Sequence, residues 1–259
     1  AGSHAYSIQP VYKGPAHGTR SIPANICYSP CGTSMDFDGV DDKLVIFDSP
    51  SLKLEKALTL EAWIKTGYME TSNPRIISKG EKGIGYELLL SQVKGYYSME
   101  FKLPNGILKS TTPLLSNVWY HVAAVYDGKA MVLYINGKKD CSRHAAGPLP
   151  NSSLPLVIGK SCIEDANFFA GDIDDVRIWN VPRTEAQIFE SFSSRVPSTA
   201  KGLVGNWTMS EGCSIITCDN SANGNDAVLS GTCFCGEVYP FIPDVNNQTN
   251  HALVIPVMN

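Results

Sequence analysis

The stretch FFAGDIDDVRIWN, Phe168–Asn180, decides the fold. It reads as one long strand and carries three carboxylates, Asp172, Asp174 and Asp175. Its partner lies far upstream, in MDFDGVDD at Met35–Asp42. Between the two runs, strand follows strand through tight turns, so they are expected to close a β-sandwich. LTLEAWIKT, Leu58–Thr66, alternates Leu58, Leu60, Ala62 and Ile64 with Thr59, Glu61, Trp63 and Lys65. That is the two-residue period of a sheet with unlike faces. Arg75–Lys79 and Gly85–Ser91 repeat it. Tyr96–Leu103 turns at Pro104-Asn105-Gly106 into Ile107–Thr112, Trp119–Tyr126 ends at Asp127-Gly128, and Met131–Ile135 ends at Asn136-Gly137. Asn-Gly and Asp-Gly accept the positive φ of hairpin turns, so these signals specify an antiparallel meander. MDFDGVDDKLVIFD is expected to form a hairpin too, its Asp-Gly and Asp-Asp separating two short apolar runs.

Leu154–Gly159 is a further short strand. After Asn180 the period changes. In VPRTEAQIFESF, Thr184 and Gln187 match a capping box, and Ile188, Phe189 and Phe192 fall on one helical face. One short helix is expected there, against the sandwich. A polar link, Ser193–Lys201, leads to GLVGNWTMSEG and DNSANGNDAVLSG, two more strands across a polar loop. ALVIPVM, within His251–Met258, reads as a last strand that Pro256 confines to an edge. The reading is all-β: residues 1–34 an extended arm, 35–192 the sandwich, 193–259 a segment that completes this sandwich or a neighbour's.

With 43% hydrophobic residues the chain has enough apolar side chains for a sizeable core. A net charge of -4, with no long basic run, argues against nucleic acid or an anionic membrane as partner. No apolar run is long enough to span a bilayer. The opening AGSHAYS reads as a processed N-terminus or a tag remnant. The eight cysteines are Cys27, Cys31, Cys141, Cys162, Cys213, Cys218, Cys233 and Cys235. They lack zinc spacing, and His4, His17, His121, His144 and His251 add none. Disulfides are the better reading, with Cys141–Cys162 the first pairing to test. Sequons at Asn151, Asn206 and Asn247 add N-glycosylation, and with the cysteines point to a secreted or cell-surface protein.

Laid out this way, MDFDGVDDKLVI, LTLEAWIKT, RIISKG, WYHVAAVYDGKAMVLYINGK, LVIGK and FFAGDIDDVRIWN with its RTEAQI helix resemble the laminin-G-like and pentraxin-like domains of the concanavalin A-like superfamily. They stand in the family's order over about residues 35–192. The resemblance implies an antiparallel jelly-roll sandwich with one short helix. It also implies a structural Ca²⁺ held by the FDG aspartate and the first aspartate of IDDV, here Asp38 and Asp174, with Asp41 and Asn225 beside them. Oxygen-only donors suit that ion. One segment departs from the family's order. GLVGNWTMSEG…DNSANGNDAVLSG resembles what usually precedes the FDG strand, yet follows the domain. It is expected to fold back into its own sandwich, to begin a second truncated module, or to fill the slot of a neighbouring molecule and so build a filament.

The alternating carboxylates of this fold's glycan hydrolases are missing, as are GxSxG and HExxH. Glu61 and Glu100 are expected to face solvent and His121 to be packed. No enzymatic activity is expected. Two functions remain: a secreted structural or adhesion module whose partners are itself or other extracellular proteins, or a calcium-dependent carbohydrate-binding lectin-like domain. For the second, Tyr68, Tyr86, Tyr96, Tyr97, Trp119 and Tyr120 are the available aromatics.

Overall fold

The computed structural model describes residues 34–69, 71, 73–81, 83–210, 215–231 and 234–235. The strands are β1 (Met35–Asp38), β2 (Lys43–Ile46), β3 (Leu58–Thr66), β4 (Arg75–Glu81), β5 (Ile84–Val93), β6 (Tyr96–Leu103), β7 (Gly106–Lys109) and β8 (Trp119–Tyr126). β9 (Ala130–Ile135), β10 (Lys138–His144), β11 (Leu156–Ile158) and β12 (Ala170–Trp179) follow. The helix α1 (Glu185–Ser191) precedes β13 (Leu203–Trp207), β14 (Ile216–Thr217), β15 (Ala227–Ser230) and β16 (Phe234–Cys235).

Two antiparallel sheets face each other. One runs β10-β9-β8-β3-β12-β1-β16, with β13 also on β12; the other runs β14-β15-β2-β11-β4-β5-β6-β7. The turns expected to build one antiparallel meander serve two: Asn105-Gly106 lies within β4-β5-β6-β7 of the second sheet, and Asp127-Gly128 and Asn136-Gly137 within β8-β9-β10 of the first. The core lies between the layers. Leu58, Leu60, Ala62 and Ile64 of β3 share it with Leu88, Leu90, Met99 and Phe101 of the facing sheet.

β12 explains the geometry of the whole. β3 lines one side of it, while β1 pairs Ala170–Ile173 and β13 pairs Val176–Trp179 on the other. The two partners therefore lie end to end. The register breaks between Asp174 and Arg177, where Asp175 takes a φ of 44°. A bulge of this kind re-aims the strand between two partners.

Several expectations are corrected here. β1 and β2 do not form a hairpin. β1 belongs to the first sheet and β2 to the second, so the Asp-Gly turn carries the chain from one layer to the other. What differs is the pairing: β1 takes β12 as its neighbour, whereas β2 takes β11 and β15. The later segment closes its own sandwich, with β13 on β12 and β15 on β2, so strand donation to a neighbour loses its structural motive. Cys141 and Cys162 do not pair. Cys141 lies on β10 of the first sheet and Cys162 just beyond β11 of the second, and both are free thiols. The Cys141 thiol donates to Lys109 O at 3.1 Å, and burial together with the Asp140 carboxylate pushes it up to about 12. The Cys162 thiol donates to Gly80 O at 2.9 Å. Cys27, Cys31, Cys213, Cys233, Asn247 and His251–Met258 lie outside the described residues, as does the side chain of Cys235.

The second face of β3 is covered as well. Thr184 caps α1 through the expected box with Gln187, and Ile188 and Phe192 are buried while Phe189 is half exposed. The helix and the chain after it lie over Glu61, which is fully buried rather than solvent-facing. Glu100 is buried too, and pairs with Lys109 Nζ at 2.6 Å. Glu61 Oε1 accepts from Arg183 Nη1 at 2.6 Å, and His121 Nε2 lies 3.5 Å from its other oxygen. Burial alone would raise the Glu61 carboxyl, but the His121 ring, Arg177 and Arg183 together hold it at about 2. His121 is packed, its ring meeting Trp63 edge-on at 5.6 Å.

Candidate functional site

One rim of the sandwich is built where three strands end. Asp38, the last residue of β1, faces Ala170, the first of β12. The Gly67 amide, just past β3, donates to Ala170 O at 2.8 Å. Gly67 and Asp38 thus flank Ala170 on its two sides, about 10 Å apart at ordinary strand spacing. The β1–β2 turn folds tightly over this point. A Cβ on Gly39 would lie 2.8 Å from that of Ala170, and its φ is +82°, so only glycine fits.

The turn carries three aspartates whose ligand oxygens lie within 4.8 Å of one another, Asp38, Asp41 and Asp42. Asp38 Oδ1 accepts from the amides of Val40 at 2.7 Å and Asp41 at 3.2 Å. Asp42 Oδ2 accepts from the Asp38 amide at 2.9 Å. Asp38 and Asp41 are exposed, whereas Asp42 is buried. Gly231, just after β15, presses on Asp42, since a Cβ there would come within 2.1 Å of Oδ1. Across the rim, Tyr68 is 80% exposed beside Gly67, whose carbonyl accepts from Tyr97 Oη at 3.2 Å. Lys160, bonded to Asp165 at 2.7 Å, lies over the Phe168 ring at the same end.

The other residues singled out in the sequence are elsewhere. Asp174 is buried and accepts from the Asp175 amide at 2.7 Å. It stands four positions along β12 from the partner of Asp38, about 13 Å away at 3.3–3.4 Å per residue. Asn225 is a clip at the far end of β2. It accepts from Ser49 Oγ at 2.7 Å and donates to Ser51 Oγ at 2.9 Å and to Val204 O at 2.7 Å. The structure therefore brings Asp38 and Asp41 together with Asp42, and neither with Asp174 nor with Asn225. A second acidic pair forms across the strands. Asp36 faces Asp172 across β1 and β12, and burial, then Asp172 and Asp38, raises the Asp36 carboxyl. The alternation in MDFD and GDID held that signal, but only the register reveals it. Asp172 is held by Ser34 Oγ at 2.8 Å and by Lys65 Nζ at 3.5 Å.

Sequence comparison adds the lineage. A family model of the concanavalin A-like lectin/glucanases superfamily, Laminin_G_3, matches residues 38–189. The chain belongs to this family. Two curated proteins resemble the chain in part, and it spans only a small share of each. Mouse pappalysin-1 is 33% identical over 101 residues, which cover 36% of this chain and 6% of pappalysin-1. The human protein is 30% identical over 91 residues, again 6% of its length. Among solved structures, a candidate carbohydrate binding protein from Bacteroides ovatus superposes with a TM-score of 0.61 at 24% identity, covering 80% of this chain and 60% of that one. That likeness shows the β-sandwich fold.

Two carboxylates on the outer face of the second sheet, Glu87 and Glu100, are each paired with a lysine. Glu87 accepts from Lys102 Nζ at 2.6 Å and from Ser78 Oγ at 3.1 Å. Burial would raise its carboxyl, but Lys102 and Arg75 hold it below the usual range. Among the described residues no helix is long and apolar enough to cross a membrane.

Proposed function

We propose that this laminin-G-like domain is a non-catalytic, extracellular glycan-binding module whose ligand lies across the rim between Tyr68 and the β1–β2 turn. The observation that carries the reading is that juxtaposition: an exposed aromatic ring and a three-aspartate turn on either side of Ala170. An aromatic side chain offers an apolar face with a polar tip, which suits a sugar ring. The carboxylates offer strong hydrogen-bond acceptors to its hydroxyls.

The donor set also fits a calcium ion in type, being all oxygen. Three carboxylates are fewer than the six to eight oxygens the ion takes, so carbonyls, water or ligand hydroxyls would complete the shell. Asp38, Asp41 and Asp42 would hold it, and it would supply a fixed positive charge to sugar oxygens. The non-catalytic part of the proposal is supported by Glu87 and Glu100. Each is tied to lysine, which suits neither a general acid nor a paired nucleophile. The likeness to the Bacteroides ovatus protein is consistent with this reading.

A glycan array, run with calcium and again with chelator, tests it. Tyr68→Ala is expected to abolish the signal at constant fold, and Asp41→Asn to weaken it in calcium. Binding that survives Tyr68→Ala unchanged, or no binding to any glycan, overturns the proposal.

A further inference from the structure

Two of the three sequons fall on described residues, and the fold treats them in opposite ways. Asn206 lies in β13, opposite Arg177 of β12, and is 3% exposed. Its backbone N–H donates to Asp219 Oδ1 at 2.9 Å, and its neighbour Trp207 is fully buried in the core. A glycan on its side-chain nitrogen would have to pass through the chain that covers this face, where Arg177 donates to Ser191 O at 2.8 Å and to Ser194 O at 2.7 Å. Folding with a sugar at this position would require β13 to leave the sheet.

Asn151 is the reverse case. It lies in the exposed connection between β10 and β11, and Ser153, the hydroxyl residue of its sequon, is exposed too. The backbone there is held in place, with Gly85 N donating to Pro150 O and Leu149 N to Glu55 O, both at 3.0 Å. The side chain reaches outward, Asn151 Nδ2 donating to Glu55 Oε1 at 2.8 Å. The amide carries two hydrogens, so one can be replaced and the other kept on Glu55.

We infer that Asn151 is a glycan-bearing residue of the folded protein, and that Asn206, despite its sequon, is not. The modification is transfer of an oligosaccharide from a lipid-linked diphosphate donor. The bond between the anomeric carbon and the diphosphate breaks, a carbon–nitrogen bond to Asn151 Nδ2 forms, the lipid diphosphate leaves, and the amide loses one proton. No oxidation or reduction is involved. The site precedes β3 in space, next to Glu55, whereas the aspartate turn lies at the other end of that strand. Nine residues of strand separate the two rims, about 30 Å. A glycan at Asn151 therefore leaves the aspartate rim open, and the inference stands whether or not that rim binds sugar.

The test is to secrete the full chain from a eukaryotic host, release N-glycans enzymatically in heavy-oxygen water, and map the peptides by mass. Each asparagine that carried a glycan is converted to a labelled aspartate. The peptide with Asn151 is expected to carry the label, and the peptide with Asn206 to lack it. Asn151→Gln and Ser153→Ala should each remove the label at that site, and Ser153→Ala leaves the Asn151–Glu55 contact in place, so loss of folding cannot mimic the result. Label on Asn206 in secreted, cooperatively melting protein, or none on Asn151, overturns the inference.

Discussion

Glu61→Gln tests the account of the outer face of the first sheet. The carboxylate has no solvent exposure and faces Arg183 at 2.6 Å and His121 at 3.5 Å, with Arg177 nearby. Its folded value of about 2, against 4.5 for a free glutamate, corresponds at 1.36 kcal/mol per pH unit to about 3 kcal/mol. Because the folded value is depressed, this stability is fully present above about pH 4.5 and is lost as pH falls towards 2. Removing the charge also takes the carboxylate from the half-buried Arg183, which keeps its bond to Gln187 O, a loss of about 1.5–3 kcal/mol for a hydrogen bond to a charged group. Urea unfolding of wild type and Glu61→Gln, from neutral pH down to about pH 2.5, reads both quantities. Wild type should lose about 3 kcal/mol more than the variant across the acid range, since the other carboxylates titrate equally in both. Parallel pH curves for the two proteins, or a variant within about 1 kcal/mol of wild type at neutral pH, would refute the reasoning.

Trp207→Ala should cost about 3–5 kcal/mol in urea unfolding, because the indole is fully buried and donates to Asn225 O at 2.8 Å. A loss below about 1 kcal/mol would mean that β13 is an accessory to the sandwich rather than part of it. Gly171→Ala should lower the melting temperature by more than a surface change does, since a Cβ there would meet Lys65 O at 2.2 Å and the φ is +123°. Thr184→Ala should cost about 1 kcal/mol through the loss of the α1 cap, measured in the same assay. Calcium should raise the melting temperature of wild type and do so less for Asp42→Asn, read by a thermal shift with and without chelator.

The meanders and the helix were legible because their signals are local. Asn136-Gly137 turns the chain wherever it stands, and Thr184 with Gln187 starts a helix from four residues alone. What failed depends on partners distant in sequence. Asp38-Gly39 looks the same whether the next strand pairs beside β1 or crosses to the opposite sheet, and the difference lies in distant partners, β12 for β1 and β11 with β15 for β2. The burial of Glu61 is hidden from local sequence for a similar reason. Alternation marks one face of β3 as polar, but whether water or α1 covers that face is settled more than 120 residues later, at Arg183.

The aspartate turn depends on the same distant closure. Asp38, Asp41 and Asp42 are adjacent in sequence, so their clustering is local. The burial of Asp42 is not, because Gly231 reaches it only after β15 has paired along β2. The tail that closes the sandwich through β13 thus also forms the inner wall of the turn through Gly231. Asp174 and Asn225, which the family resemblance placed with Asp38, are drawn away by that closure: Asp174 to the bulge where β12 changes from β1 to β13, and Asn225 to the link between Val204 and Ser51. In FFAGDIDDVRIWN the first acidic residue, Asp172, answers Asp36 across the sheet, while Asp174 and Asp175 shape the bulge that lets one strand serve two partners.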